Sequence, residues 1–414
     1  IFLEITKHAA VNGREVLILT HRRELLFQAG TKLRESQFDY GRIMADEPHD
    51  STLPIQIATT QSLYRKAVRG RKTALPRAGL IIIDEAHNLS GSKTTQMILE
   101  KYPEAFILGV TATPITSTGK GLGHYFDVII NGPSISELTK TGFLVPARYF
   151  VPSLPDLEGL RIRAGDYVEE ELAERVDRPK LIGDICENWS RVCPDRKTLV
   201  FGVGVRHSIH LAESFNAIGV KAAHVDGSTE KRERDRLVGL FRDGDLQVLC
   251  NAMVFTEGVD LPAASALVFA RPTKSLRMYL QVSGRVLRPF PNKGDACILD
   301  HAGVVAEHGL LDQDFDWKLD YGTGSMGDGM RAAKKLRERS QITCAKCKLV
   351  FAGRLDCPDC GTKPTVKGRY VQTYEAYLQE ITTLEMPPAP DRKLWWLGLL
   401  HYARSKGYKD GFAY

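Results

Sequence analysis

An apolar run that stops abruptly at two adjacent carboxylates, Gly79-Leu-Ile-Ile-Ile-Asp84-Glu85-Ala86-His87, is where chemistry can first be read in this sequence. In parallel α/β sheets ligands sit at the carboxyl ends of strands, so both acids arrive where a ligand binds. Asp84 suits a hard cation such as Mg²⁺, and Glu85 beside it can orient and deprotonate a water. Alone, the pair also reads as a helix start, with Asp84 capping and Glu85 complementing the dipole. Thr111-Ala112-Thr113-Pro114 follows a second run, Phe106–Val110, read as a buried strand, and brings two hydroxyls toward the same crevice. Such a tetrapeptide is also an ordinary strand-to-turn transition. Gln281-Val-Ser-Gly284-Arg285-Val-Leu-Arg288 spaces two arginines three apart. On one helix they share a face and offer permanently charged, forked donors to phosphoryl oxygens; solvated arginines on a surface helix are the alternative. In Thr256-Glu257-Gly258-Val259-Asp260, Gly258 permits close backbone approach and Asp260 could bind ribose hydroxyls.

A separate chemistry is written in Cys344-x₂-Cys347-x₉-Cys357-x₂-Cys360, which gathers four of the eight cysteines. Two C-x-x-C knuckles supply a tetrahedral thiolate site for structural Zn²⁺, with Pro358 and Gly361 suited to the tight second turn. A pair of redox dithiols is the alternative, but it lacks the βαβ context such motifs need. Cys186, Cys193, Cys250 and Cys297 are scattered.

The elements that must position these residues alternate. Val16–Thr20, Ile55–Thr59, Gly79–Ile83 and Ala105–Val110 read as strands, and Arg23–Glu35 as a helix with Leu25, Leu26, Ala29 and Leu33 on one face. The pattern restarts with strands at Thr198–Gly202, Val220–His224, Leu246–Asn251, Ala266–Phe269 and Ala296–Asp300, and helices at His207–Ile218 and Ser228–Phe241. Strands alternating with helices imply parallel sheets covered on both faces. The fold class is therefore α/β, two similar lobes with an appendage.

The 414 residues suffice for two or three domains. With 43% hydrophobic and 26% charged residues, disordered, collagen-like and small disulfide-scaffold classes are excluded. No apolar run nears the ~18–20 residues of a membrane span, so no membrane partner is expected. No repeat of solenoid length is visible. The net charge of +6 leans weakly toward polyanions, and it is unevenly held. Residues 321–414 carry 16 Lys+Arg and 9 Asp+Glu, leaving the rest near neutral. Basic residues beside a zinc module read as contacts to a nucleic-acid backbone, or as a solvated helix at Arg331–Arg339.

In order along roughly residues 1–310, these segments resemble a superfamily 2 nucleic-acid helicase of the DEAH-type group. Thr20-His-Arg22-Arg23-Glu24-Leu-Leu-Phe-Gln28 is similar to motif Ia, and Ala58-Thr59-Thr60-Gln61-Ser62-Leu63 to the contact that follows it. Asp84–His87 matches motif II, Thr111–Pro114 motif III, Leu199–Gly202 motif IV and His224–Ser228 its successor. Asn251–Asp260 matches motif V, and Gln281–Arg288 motif VI. The resemblance implies two RecA-like lobes with ATP between them and one strand crossing both. It gives Asp84 the Mg²⁺, Glu85 the attacking water, Arg285 and Arg288 the phosphates, Gln281 the γ-phosphate or the water, and Gly258 and Asp260 further nucleotide contacts. His87, Thr111 and Thr113 would couple the lobes. Thr20, Arg22, Arg23, Thr60, Gln61, Gly202 and Thr256 fall where the family touches the nucleic-acid backbone, which positions a strand without reading it.

One departure matters. No G-x-x-x-x-G-K-[ST] phosphate loop occurs in the chain. In this family it directly precedes a helix, and Ile1–Ala10 reads as that helix, so the loop lysine is expected just before Ile1. Both ends are expected to be cuts, and the chain as given to have little ATPase activity.

The expected organisation is a first lobe over 1–145, a linker over 146–178, a second lobe over 179–318, a Gly-rich joint and basic helix over 319–340, a zinc ribbon over 341–366 and a helical tail over 367–414. The helicase lobes, paired C-x-x-C, the helix around Leu394-Trp395-Trp396 and Gly407–Ala413 resemble the RadD group of bacterial and phage DNA-repair helicases. That implies an ATP-, Mg²⁺- and Zn²⁺-dependent DNA helicase in the cytoplasm of a bacterium or phage-infected host, with single-strand-binding or recombination proteins as partners. Duplex translocation without unwinding, and a non-catalytic nucleic-acid-binding scaffold, are the competing readings.

Overall fold

The computed structural model describes residues 2–21, 23–44, 52–70, 73–116, 118–151, 157–163, 165–252, 261–313 and 315–322, with short strands at 341–343, 350–352 and 379–381. The chain divides into a unit over Ile1–Gln379 and another over Glu380–Tyr414, of which only residues 380 and 381 are described.

The first lobe is a parallel sheet of five strands: β1 (Val16–Thr20), β2 (Gly41–Ile43), β3 (Ile55–Thr59), β4 (Leu80–Asp84) and β5 (Phe106–Val110), in the order β2-β3-β1-β4-β5. Register places Val16 beside both Ile55 and Leu80. Period-two alternation splits β1 between two cores. Leu17 and Leu19 pack on one face with Leu63, Ile81 and Leu89, and Val16 and Ile18 on the other with Leu26 and Leu33. Helices α1 (Phe2–Val11) and α2 (Arg23–Glu35) cover the second of these faces through Phe2, Leu3 and Leu26. Helices α3 (Thr60–Leu63) and α4 (Lys93–Leu99) contribute Leu63 and Ile98 to the first.

The expectation of a buried Phe106–Val110 is corrected. β5 pairs with β4 and forms the sheet's outer edge among the described residues, leaving Phe106 65% and Ile107 38% exposed. An apolar strand is buried only if something lies on its far side.

The second lobe orders its strands β10-β11-β9-β12-β13-β6, where β6 is Ala147–Val151 and β9 to β13 are Thr198–Phe201, Ala222–Val225, Val248–Asn251, Ala266–Phe269 and Ala296–Asp300. Leu199, Phe201, Leu249, Leu267 and Ile298 face one core; Val200, Val248, Val268 and Leu299 face the other, with Cys186, Cys193, Cys250 and Cys297. Burial pushes the Cys186 thiol up to about 11, so it behaves as an apolar group rather than a nucleophile. Trp189 fills the centre of this face, edge-on to Phe215, its Nε1–H donating to Thr198 Oγ1 at 2.7 Å.

Residues 147–151, read from sequence as linker, are β6, which pairs in parallel with β13. The connection after them is structured too. A two-strand hairpin, β7 (Ile162–Arg163) and β8 (Asp166–Tyr167), precedes the acidic helix α6 (Glu169–Val176), whose Leu172 and Val176 are buried against Val203. α5 (Ile135–Lys140) lies between the lobes in sequence. α7 (Pro179–Val192), α8 (Val205–Ala217), α9 (Lys231–Asp243), α10 (Leu276–Val286) and α11 (Val304–His308) complete the second lobe.

The lobes also touch through short segments. Ile115, just after Thr113 and Pro114, is buried in the second lobe's core. From the other side, Phe315, Trp317 and Tyr321 pack on that core, while the Leu319 carbonyl accepts the Gly123 N–H at 2.8 Å. A Cβ at Gly121 would run into that same carbonyl. Gly121 therefore has a steric reason to lack a side chain.

Beyond residue 322, strands Gln341–Thr343 and Val350–Ala352 pair antiparallel. Cys344, Cys347, Cys357 and Cys360, the basic helix and the helical tail lie outside the described residues.

Candidate active site

The carboxyl ends of β1, β3 and β4 open into a cavity of about 120 Å³ lined by His21, Thr60, Gln61, Asp84, Glu85 and Asn88, among others. Asp84 is the last residue of β4, half-buried, and its Oδ1 accepts the Glu85 N–H at 3.0 Å. Glu85 itself is left-handed, with φ 51° and ψ 53°. A non-glycine residue held there stores conformational energy, and such strain concentrates at functional sites. The turn breaks the strand and starts the 3-10 segment Ala86–Gly91, whose N-cap falls on Glu85 rather than on Asp84, and the Glu85 side chain makes no capping bond. Instead Glu85 Oε2 lies 3.3 Å from His87 Nδ1.

His87 is fully buried, and its ring joins three segments. Nε2 lies 3.4 Å from Gln281 Nε2 of α10. An amide nitrogen can only donate, so Nε2 is the acceptor there and Nδ1 lies on the opposite edge of the ring. From there it faces the Thr111 hydroxyl at 2.8 Å, with the Thr113 hydroxyl at 3.5 Å. Motif II, motif III and motif VI residues meet around one imidazole, although Gln281 lies 194 residues from His87.

Arg285 is buried in the last turn of α10. The expectation that Arg288 shares its helical face is corrected: α10 ends at Val286 and Arg288 lies beyond the Leu287 cap. Pro289 follows, and a residue before proline is disfavoured in helical geometry. Lys293, which no motif flags, braces this exit. Its Nζ donates to the carbonyls of Pro262, Ala264 and Arg288 at 2.6–3.1 Å, and burial brings its pKa down to about 8.

The residues expected to touch nucleic acid divide. Gln61 is exposed and lines the cavity, and Arg23 is exposed at the start of α2. Thr20 and Thr60 are buried, the Thr60 hydroxyl donating to the Thr20 carbonyl at 3.1 Å, which ties the ends of β1 and β3. At Gly202 a Cβ would sit 3.1 Å from the backbone of Ser208, so close packing of α8 explains the glycine. Arg22, Thr256, Gly258 and Asp260 lie outside the described residues. Sequence reasoning missed how Asp226 works: its carboxylate accepts from the backbone and hydroxyls of Ser228 and Thr229. Those bonds, the Ser228 hydroxyl first, hold it well below the usual carboxylate range.

Asp84 and Glu85 fit Mg²⁺ and a polarised water, being carboxylates at a strand end with a buried arginine on the facing lobe's α10. The backbone nest and lysine that would cradle the phosphates have no counterpart in the sequence. Among the described residues no group of three or more His, Cys, Asp or Glu side chains could hold a metal. No described helix is long and apolar enough to cross a membrane.

Comparison with known proteins agrees with this geometry. Residues 1–116 match the family described as "Type III restriction enzyme, res subunit", and residues 181–289 the "Helicase conserved C-terminal domain". A 51.5 kDa protein of a Lactococcus phage (isolate 7-9) is 32% identical over 358 residues, covering 86% of this chain and 71% of that one. The candidate mitochondrial ATP-dependent helicase irc3 of Schizosaccharomyces pombe is 32% identical over 313 residues, covering 72% of this chain. The chain spans half of irc3's own length. The ATP-dependent Type ISP restriction-modification enzyme LlaBIII, solved bound to DNA, superposes with a TM-score of 0.51 at 15% identity, over 81% of this chain and 27% of that one, a likeness of fold. Two RecA-like lobes, motifs brought together around His87 and matches to the res-subunit and helicase C-terminal families over their respective lobes lead to one assignment: the chain belongs to the superfamily 2 helicases.

Proposed function

We propose that this chain is the two-lobed motor of an ATP-dependent DNA helicase or branched-DNA remodelling translocase acting in repair or recombination, of the RadD type, in a bacterial or phage-infected cell. The observation that carries the reading is the His87 cluster, where Glu85, Thr111 and Gln281 of opposite lobes share one ring. A scaffold that only bound nucleic acid would have no use for a strained carboxylate tied to the facing lobe. Asp84 would hold Mg²⁺, which supplies charge neutralisation at the phosphates, and Glu85 would take the proton of the attacking water. Arg285 and Arg288 would reach the phosphates from the second lobe. Gln61 and Arg23 would track a strand along the first.

A phosphate loop has a natural seat beside β5, whose uncovered edge could take one more parallel strand. The 414-residue chain alone should therefore turn over ATP at background rate, with or without oligonucleotide. The same residues carrying a phosphate-loop strand should show strand-stimulated turnover. Robust hydrolysis by the chain alone would overturn the reading of an incomplete nucleotide site.

The four cysteines at 344, 347, 357 and 360 would form a closed Zn²⁺ site beside a basic surface that adds strand affinity. Metal analysis of purified protein should give one zinc per chain, lost when Cys357 and Cys360 are both changed to serine. Zinc-free protein would end the ribbon assignment.

A further inference from the structure

The turn after Glu85 is held from the second lobe at two successive residues. Gln281 reaches His87, and Arg277, one helical turn earlier on the same face of α10, donates from Nη1 to Asn88 Oδ1 at 3.3 Å. Asn88 also lines the cavity at the strand ends, together with Asp84 and Glu85 and with His21 and Gln61, the last a strand contact in the reading above. Its backbone is anchored, the N–H donating to the Glu85 carbonyl at 2.9 Å. A guanidinium has only donors, so it can be met only by the oxygen prong of a carboxamide. That selects one of the amide's two flip states and turns the NH₂ prong away from Arg277.

Building on the strand-binding reading above, we infer that Asn88 grips the nucleic-acid backbone through this NH₂ group, and that Arg277 is the positioning residue that sets it. The ligand chemistry is a phosphate or sugar oxygen of a single strand. Lobe docking then raises the first lobe's hold on the strand, because the donor is oriented only when α10 is in place. This assigns work to two residues outside the helicase motifs.

The test is binding of a fluorescent 20-mer oligothymidylate to the 414-residue chain, measured across a salt series. Asn88→Ala and Arg277→Ala should each weaken binding by about tenfold or more, as loss of a charge-assisted hydrogen bond does. The double variant should be no weaker than Asn88→Ala, and Arg277→Ala should keep the wild-type salt slope. Asn88→Asp, which retains an acceptor for Arg277 but loses the donors, should also bind weakly. Wild-type affinity in Asn88→Asp would reduce the contact to a tether between lobes and overturn the inference. So would multiplying effects in the double variant, or a salt slope lower by about one for Arg277→Ala, since both mean that Arg277 touches phosphate itself. If wild-type protein binds no strand at any salt, the strand-binding reading falls first and takes this inference with it.

Discussion

Replacing Glu85 by glutamine should cut ATP turnover by about 10²–10⁴-fold in protein that carries a phosphate loop, while nucleotide-dependent strand binding survives. The substitution is nearly isosteric and unbranched, so it can occupy the left-handed backbone at φ 51° as glutamate does. It keeps an oxygen toward His87 Nδ1, 3.3 Å from the present carboxylate, so the ring that meets Gln281 of the second lobe stays in place. What disappears is proton acceptance. Binding and hydrolysis should therefore separate: the strand stays held while phosphate release stops. Turnover within a few-fold of wild type would show that another group activates the water. Loss of strand binding together with turnover would instead mean that the carboxylate's charge shapes the cleft.

Acidification should destabilise the second lobe between pH 6.5 and 4, where two buried imidazoles resist protonation. His207 and His308 are both buried, and burial lowers each to about 4 from 6.5. The nearby Asp177 charge pulls His207 back, and the hydrogen bond to the Thr273 carbonyl pulls His308 back, but burial wins. His207 Nδ1 accepts the Val203 N–H at 3.2 Å, so protonation there would cost a hydrogen bond as well as desolvation. The sign follows from linkage. Below pH 6.5 the unfolded chain binds protons that the folded chain refuses, so stability falls with pH until about 4 and then levels. At pH 5 each histidine contributes about 2 kcal/mol of loss, a substantial share of the 5–15 kcal/mol typical of a domain. Denaturant midpoints at pH 7 and pH 5 measure it. His308→Gln, which preserves a donor to Thr273, should flatten part of the slope. Equal midpoints at the two pH values in the wild type would refute it.

Much of the architecture was legible because the relevant patterns are local. Leu80–Ile83 is too continuously apolar for a half-exposed strand, which announces a parallel sheet with two covered faces, and β4 sits in such a sheet. The order of motifs announced two lobes. Other features could not be read this way. β6 looks like linker because its neighbours in sequence are acidic and proline-containing, yet its partner is β13, about 150 residues away. β5 has the apolarity of a core strand, and only its position at an edge exposes Phe106. Arg288 matches the helical spacing, but the chain leaves the helix before reaching it.

The residue types in the cleft and the strand ends that deliver Asp84 and Glu85 were determined by the sequence alone, since each is a matter of composition or of a period of two or 3.6 residues. Tertiary structure decided which groups actually meet. It placed His87 between Thr111 and Gln281, turned Thr60 inward to Thr20, and set Arg277 on Asn88 across 189 residues of chain. Contacts at such separation depend on how two sheets dock, and docking leaves no periodic trace in the segments it joins.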